Sequence, residues 1–177
     1  MDLKKLKKLG RKYSALITSP IEGLQKNINQ VCGYLVATGK PVLYVSLNKP
    51  HETVKAALEK QGIATKKIFF IDCLAKPSGK APFPQNVIHI ESPADLTSLE
   101  IAISEFLEKI KGEKSVLIDA LATLLIYNSE ELTIKFTKSV LEKSQDSQTV
   151  IFTPSAKGTG FIEKIAVFFD EAIKLES

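Results

Sequence analysis

Residues 115–120 read SVLIDA, an unbroken apolar run closed by Asp119. A run this short and this uniformly apolar predicts a strand covered on both faces, as in a parallel sheet flanked by helices. The pattern recurs in both directions along the chain. PVLYVS over 41–46, IFFID over 68–72 and TVIFT over 149–153 are strands of the same kind, and SALIT over 14–18, VIHI over 87–90 and a terminal strand over 172–175 complete the set. Between them, apolar residues recur at helical spacing. Leu24, Ile28, Val31 and Leu35 run toward a stop at Gly39, and Val54, Ala57 and Leu58 lie between Pro50 and Gly62. Leu99, Ala102, Ile103, Phe106 and Ile110 follow a start with Ser92 as cap. Leu132, Phe136, Val140 and Leu141 follow a cap at Ser129, and a last helix covers 161–169. Alternating strands and helices predict an α/β fold: a three-layer α/β/α sandwich around a mostly parallel central sheet with right-handed crossovers. Residues 13–177 read as one such domain, preceded by a basic segment over residues 1–12.

Composition narrows the function classes. Apolar residues make up 44% and charged residues 25% of the 177, and the net charge is only +4. The basic excess is local: Lys4, Lys5, Lys7, Lys8, Arg11 and Lys12 face Asp2 alone, and the segment reads as a short amphipathic helix or a solvated arm, with a plain arm preferred to a contact on an anionic surface. The near-neutral remainder gives no strong nucleic-acid signal, because phosphate binding needs a concentrated basic surface. Cys32 and Cys73 form neither a zinc cluster nor a disulfide framework and are expected as buried free thiols. No secretory signal is visible and the longest apolar stretch, 116–127, is interrupted by Asp119, so no membrane span and a cytoplasmic location are expected.

The chemistry should lie beyond the carboxyl ends of the strands. Residues 16–30, LITSPIEGLQKNINQ, form the strand–turn–helix where a phosphate loop belongs. Such a loop needs glycines so that main-chain N–H groups can converge on phosphates, then Lys followed by Ser or Thr for magnesium. Ser19 stands where the first glycine should be, Gly23 is the only glycine of the stretch, and Lys26-Asn27 replace the Lys-Ser or Lys-Thr pair. Ile21 is expected to fill the space that phosphate would take. Asp119, ending an apolar strand, has the form of a magnesium-holding carboxylate, though a polar strand terminus reads the same way. The segment 157–160 is glycine-rich, Tyr127-Asn128 could line a cleft, and His51 and His89 read as isolated histidines rather than metal ligands.

Taken together, Tyr44-Val45-Ser46-Leu47, Phe70-Ile71-Asp72-Cys73, Ser92 to Leu96, Ser115 to Tyr127 and Val167 to Leu175 resemble the RecA/KaiC-like P-loop ATPases, especially small archaeal members grouped with KaiC and the gas-vesicle regulator GvpD. The resemblance runs in order over about residues 13–175. It implies a RecA-like sheet and ATP with magnesium at Ser19, Gly23, Lys26, Asn27 and Asp119. Similar enzymes carry paired glutamates just after the second strand to activate water. Here those positions read Asn48-Lys49, and neither can act as a carboxylate base. The resemblance with these departures implies a non-catalytic regulatory or protein-interaction module, self-associating or paired with an active relative, with no cofactor required. The alternative is an ATP-binding protein or slow ATPase with an atypical loop, Lys26 reaching the phosphates and Asp119 the magnesium.

Overall fold

The structure, a computed structural model, describes residues 4–74, 86–155 and 160–176. Among them, β1 (Tyr13–Ser19), β2 (Val42–Ser46), β3 (Ile68–Asp72), β4 (Val87–His89), β5 (Ser115–Asp119), β6 (Gln148–Pro154) and β7 (Glu171–Lys174) form one sheet in the order β4-β3-β2-β5-β6-β1-β7. Every pairing is parallel. On one face lie α1 (Lys4–Lys8), α2 (Ile21–Ala37) and α3 (His51–Lys60). On the other lie α4 (Leu96–Lys109), a 3-10 turn at Leu121–Thr123 running into α5 (Leu124–Tyr127), α6 (Glu130–Lys143) and α7 (Phe161–Ala166). The expected α/β sandwich is therefore the observed one.

The apolar runs explain the two cores. Successive strand side chains point to opposite faces. Val42 and Tyr44 accordingly pack with Ile28, Val31 and Leu58 under α2 and α3, while Leu43 and Val45 pack with Phe106, Val140 and Ile165 under α4, α6 and α7. Gly39 and Gly62 follow α2 and α3 with φ of 76° and 74°, the left-handed conformation that ends a helix.

Three sequence expectations need correction. The helix expected from Ser92 begins at Leu96, because Asp95 supplies the cap, its carboxylate accepting the Ser98 N–H at 2.9 Å. Ser92 instead accepts the Ala94 N–H at 3.1 Å and closes the preceding turn. Leu132 was expected on the inner face of its helix but is half exposed. Thr133, Phe136, Thr137 and Val140 set that inner stripe, and Leu132 lies one residue, about 100° of helix rotation, away from it. Of the two readings of the basic segment, the short amphipathic helix is the observed one and the solvated arm is not. Leu6 of α1 is fully buried in the apolar cluster beneath α2 and α3, while Lys12 pairs with Asp146 and Gln148 Nε2 donates to the Gly10 carbonyl at 3.1 Å.

If α1 is part of the core, Leu6→Ala lowers unfolding stability by about 2–3 kcal/mol, as for other large-to-small core changes. Lys5→Ala, with its side chain in solvent, changes it by less than about 0.5 kcal/mol. Urea denaturation of the full chain reads both, and equal effects would contradict a docked α1.

Candidate functional site

β2 and β5 are neighbours in the sheet, yet β2 leads into α3 on one face and β5 leads into α5 and α6 on the other. A crevice opens beyond the strand ends at such a switch. Ser46 and Asp119 stand in register at its mouth.

Asp119 is 1% exposed. The Tyr44 hydroxyl, two residues back on β2 and on the same face, donates to Asp119 Oδ2 at 2.5 Å. The Leu47 N–H donates to the Asp119 carbonyl at 2.9 Å, and the peptide after Asp119 is cis. The turn after β2 folds back over the mouth: Ser46 Oγ donates to the Lys49 carbonyl at 2.6 Å, and the Lys49 ammonium donates to Gln25 Oε1 of α2. Gln25 Nε2 in turn donates to Asn29 Oδ1 at 2.9 Å. Burial pushes the Asp119 carboxyl above its ordinary 3.8, against the opposing pull of the Tyr44 hydrogen bond, the Lys49 charge and Gln25. Burial, then the Asp119 charge, pushes the Tyr44 phenol well above its ordinary range, so it stays a donor.

The other residues proposed to hold nucleotide lie where α2 begins. β1 ends at Ser19 and α2 starts at Ile21, with Pro20 alone between them. Gly23, Lys26 and Asn27 are all helical. Asn27 Nδ2 donates to Ser19 Oγ at 2.9 Å, and Ser19 Oγ donates to the Pro20 carbonyl at 3.1 Å. A Cβ on Gly23 would stand 3.3 Å from Asn27 Nδ2, so glycine here admits the Ser19–Asn27 contact. Ile21 does not fill the space expected for phosphate. It is 72% exposed, because the helix starts at once and carries its first side chain outward. Ser19, Gly23 and Asn27 are thus brought together, whereas the cation whose charge acts on Asp119 is Lys49 rather than the exposed Lys26.

Asn128 closes a turn, its Nδ2 donating to the Pro93 carbonyl at 3.0 Å and to the Leu124 carbonyl at 3.2 Å. Of the glycine-rich segment 157–160, residues 157–159 lie outside the described residues. Cys32 and Cys73 are free and buried, and burial pushes both thiols up to about 12. Sequence reasoning missed Tyr44 and Gln25 as neighbours of Asp119. The signal for Tyr44 was present: a phenol in a strand covered on both faces must find a buried partner. It also missed the meeting of His51, Asp72 and His89 at the ends of β3 and β4.

A family profile matches residues 22–175. This chain belongs to that family, a family of unknown function (DUF7504). Among curated proteins none matches it significantly. Two solved structures from the archaeon Pyrococcus horikoshii share the fold of this DUF7504 chain. The KaiC-like protein PH0186 of strain OT3 superposes with a TM-score of 0.67 at 15% identity, covering 93% of this chain and 74% of that one. The uncharacterized protein PH0321, solved in complex with an unknown peptide, gives a TM-score of 0.70 at 11% identity, covering 94% of this chain and 78% of that one. The fold is KaiC/RecA-like. No helix among the described residues is long and apolar enough to cross a membrane.

The raised carboxyl of Asp119 fixes the sign of a pH effect. The folded state holds this proton to higher pH than the unfolded chain, so the contribution of Asp119 to stability falls as pH rises from about 3.8 through the raised value. Asp119→Asn keeps an acceptor for Tyr44 and removes the buried charge. It should stabilise the chain at neutral pH, because the cost of burying the ionised carboxylate is removed. The gain should vanish below the unfolded carboxyl's pKa. Thermal unfolding of both proteins across acid to neutral pH checks this, and a destabilised variant at neutral pH would contradict it.

Proposed function

We propose that this chain is a RecA/KaiC-like module that does not turn over ATP and acts by contacting protein, as a regulatory partner in the cytoplasm. The observation that carries the reading is the passage from Ser19 through Pro20 into α2. Gripping a triphosphate takes several main-chain N–H groups converging from a loop. One intervening residue makes no loop, and that residue, proline, has no N–H to offer. The remaining parts fit the nucleotide no better. Asn27 turns its amide onto Ser19, and Asp119 is buried against Tyr44 instead of facing a metal's water shell. Asn48 and Lys49 follow β2, and neither is a carboxylate that could activate water. Losing both the phosphate cradle and the base removes positioning and charge stabilisation together, on which phosphoryl transfer depends.

Exposed apolar side chains favour a protein partner. Ile126, Tyr127 and Leu132 are exposed on α5 and the first turn of α6, beside the crevice end of β5. Large exposed apolar side chains are commonly used at contact surfaces. The buried free thiols suit a reducing compartment.

Calorimetric titration with magnesium–ATP tests the reading. The account expects no saturable heat up to millimolar nucleotide and no phosphate release above the protein-free rate. Tight binding lost in both Lys26→Ala and Asp119→Ala would establish the opposite reading, an ATP-binding protein with an atypical loop.

A further inference from the structure

Away from Asp119, three side chains meet beyond the ends of β3 and β4. Asp72 ends β3 and is fully buried, and parallel register sets it beside His89, the last residue of β4. His51 is the first residue of α3. One nitrogen of each imidazole and one Asp72 oxygen lie within 4.8 Å of one another. Asp72 Oδ2 accepts the His51 main-chain N–H at 2.7 Å and lies 2.9 Å from His51 Nδ1, while Oδ1 accepts the Leu74 N–H at 2.9 Å. The carboxylate is therefore aimed by the main chain, independently of the imidazole. The two imidazoles meet edge to face with centroids 5.3 Å apart. His89 Nδ1 is buried and has no hydrogen-bond partner among the described residues. Helix capping accounts for Asp72 and for the place of His51. It does not account for a bare ring nitrogen, whose burial costs about 1–3 kcal/mol if nothing ever satisfies it.

We propose that His51, Asp72 and His89 bind a divalent transition ion of the zinc class. Two imidazole nitrogens and one carboxylate oxygen are a donor set for such an ion, whereas magnesium and calcium take oxygen donors. Three protein donors leave a coordination position open for water or a fourth ligand. Glu52 stands at that edge, exposed, with Oε2 3.1 Å from His51 Nδ1. Binding draws the donors inward and replaces the His51–Asp72 hydrogen bond with bonds to the ion. The site shares no donor with Asp119, so it stands or falls apart from the nucleotide question.

The full chain, stripped with chelator, is titrated with Zn2+ by calorimetry in millimolar Mg2+, and Co2+ is added to a second sample and followed by visible absorption. The expected result is one Zn2+ per chain with submicromolar affinity that Mg2+ does not displace, and a Co2+ spectrum of four-coordinate intensity. His89→Ala should weaken Zn2+ by more than about 100-fold, beyond the range of outer-sphere losses. His51→Gln keeps the main-chain bond to Asp72 and should change the Co2+ spectrum; it decides the matter if His89→Ala does not fold. Absence of Zn2+ binding at micromolar concentration, or an affinity and spectrum that neither substitution alters, overturns the proposal.

Discussion

Between Ser19, the last residue of β1, and Ile21, the first of α2, there is Pro20 and nothing else. The sheet holds this passage in place from both sides. The Ser19 carbonyl accepts the Ser155 N–H and the Thr18 carbonyl accepts the Leu175 N–H, each at 2.8 Å, so β1 stays tied to its neighbours up to its last residue. Pro20 then sits at φ −53° and ψ 144°, and its carbonyl accepts the Gly23 N–H at 3.1 Å, so the helix starts without a loop. The features around it depend on that shortness. Ser19 comes close enough to Asn27 for their side chains to pair, Gly23 leaves room for the pair, and Ile21 is carried out to solvent.

Across the sheet, the ends of β3, β2 and β5 place two buried carboxylates on either side of Ser46, with Asp72 in register on one flank and Asp119 on the other. Their surroundings differ. Asp119 has a phenol at hydrogen-bond distance and a lysine nearby, and burial raises its pKa. Asp72 receives main-chain N–H groups and an imidazole. Two acidic strand ends with similar sequence settings therefore sit in different surroundings.

The strands were legible because a doubly covered strand has no polar face to blur its pattern. IFFID emerges at the expected residues as β3, and SVLIDA emerges as β5 one residue shorter, ending at Asp119. Asp119 was legible for the same reason, as the first polar residue after an apolar run. What was not legible depends on choices between near-equal local options. Ser92 and Asp95 can both cap a helix, and only the path from β4 decides that Asp95 does. Leu6 sits among lysines, and helix and arm read alike until the apolar cluster that receives it exists. The meeting of His51, Asp72 and His89 comes from parallel register and a helix start, not from any spacing along the chain.

The central claim is that the start of α2 has no grip on phosphate, and its main-chain amides report on it directly. In two-dimensional NMR of the labelled chain titrated with magnesium–ATP, the amide signals of Glu22, Gly23 and Leu24 should keep their positions up to millimolar nucleotide. Saturable shifts of these three amides, accompanied by a shift at Asp119, would contradict the account.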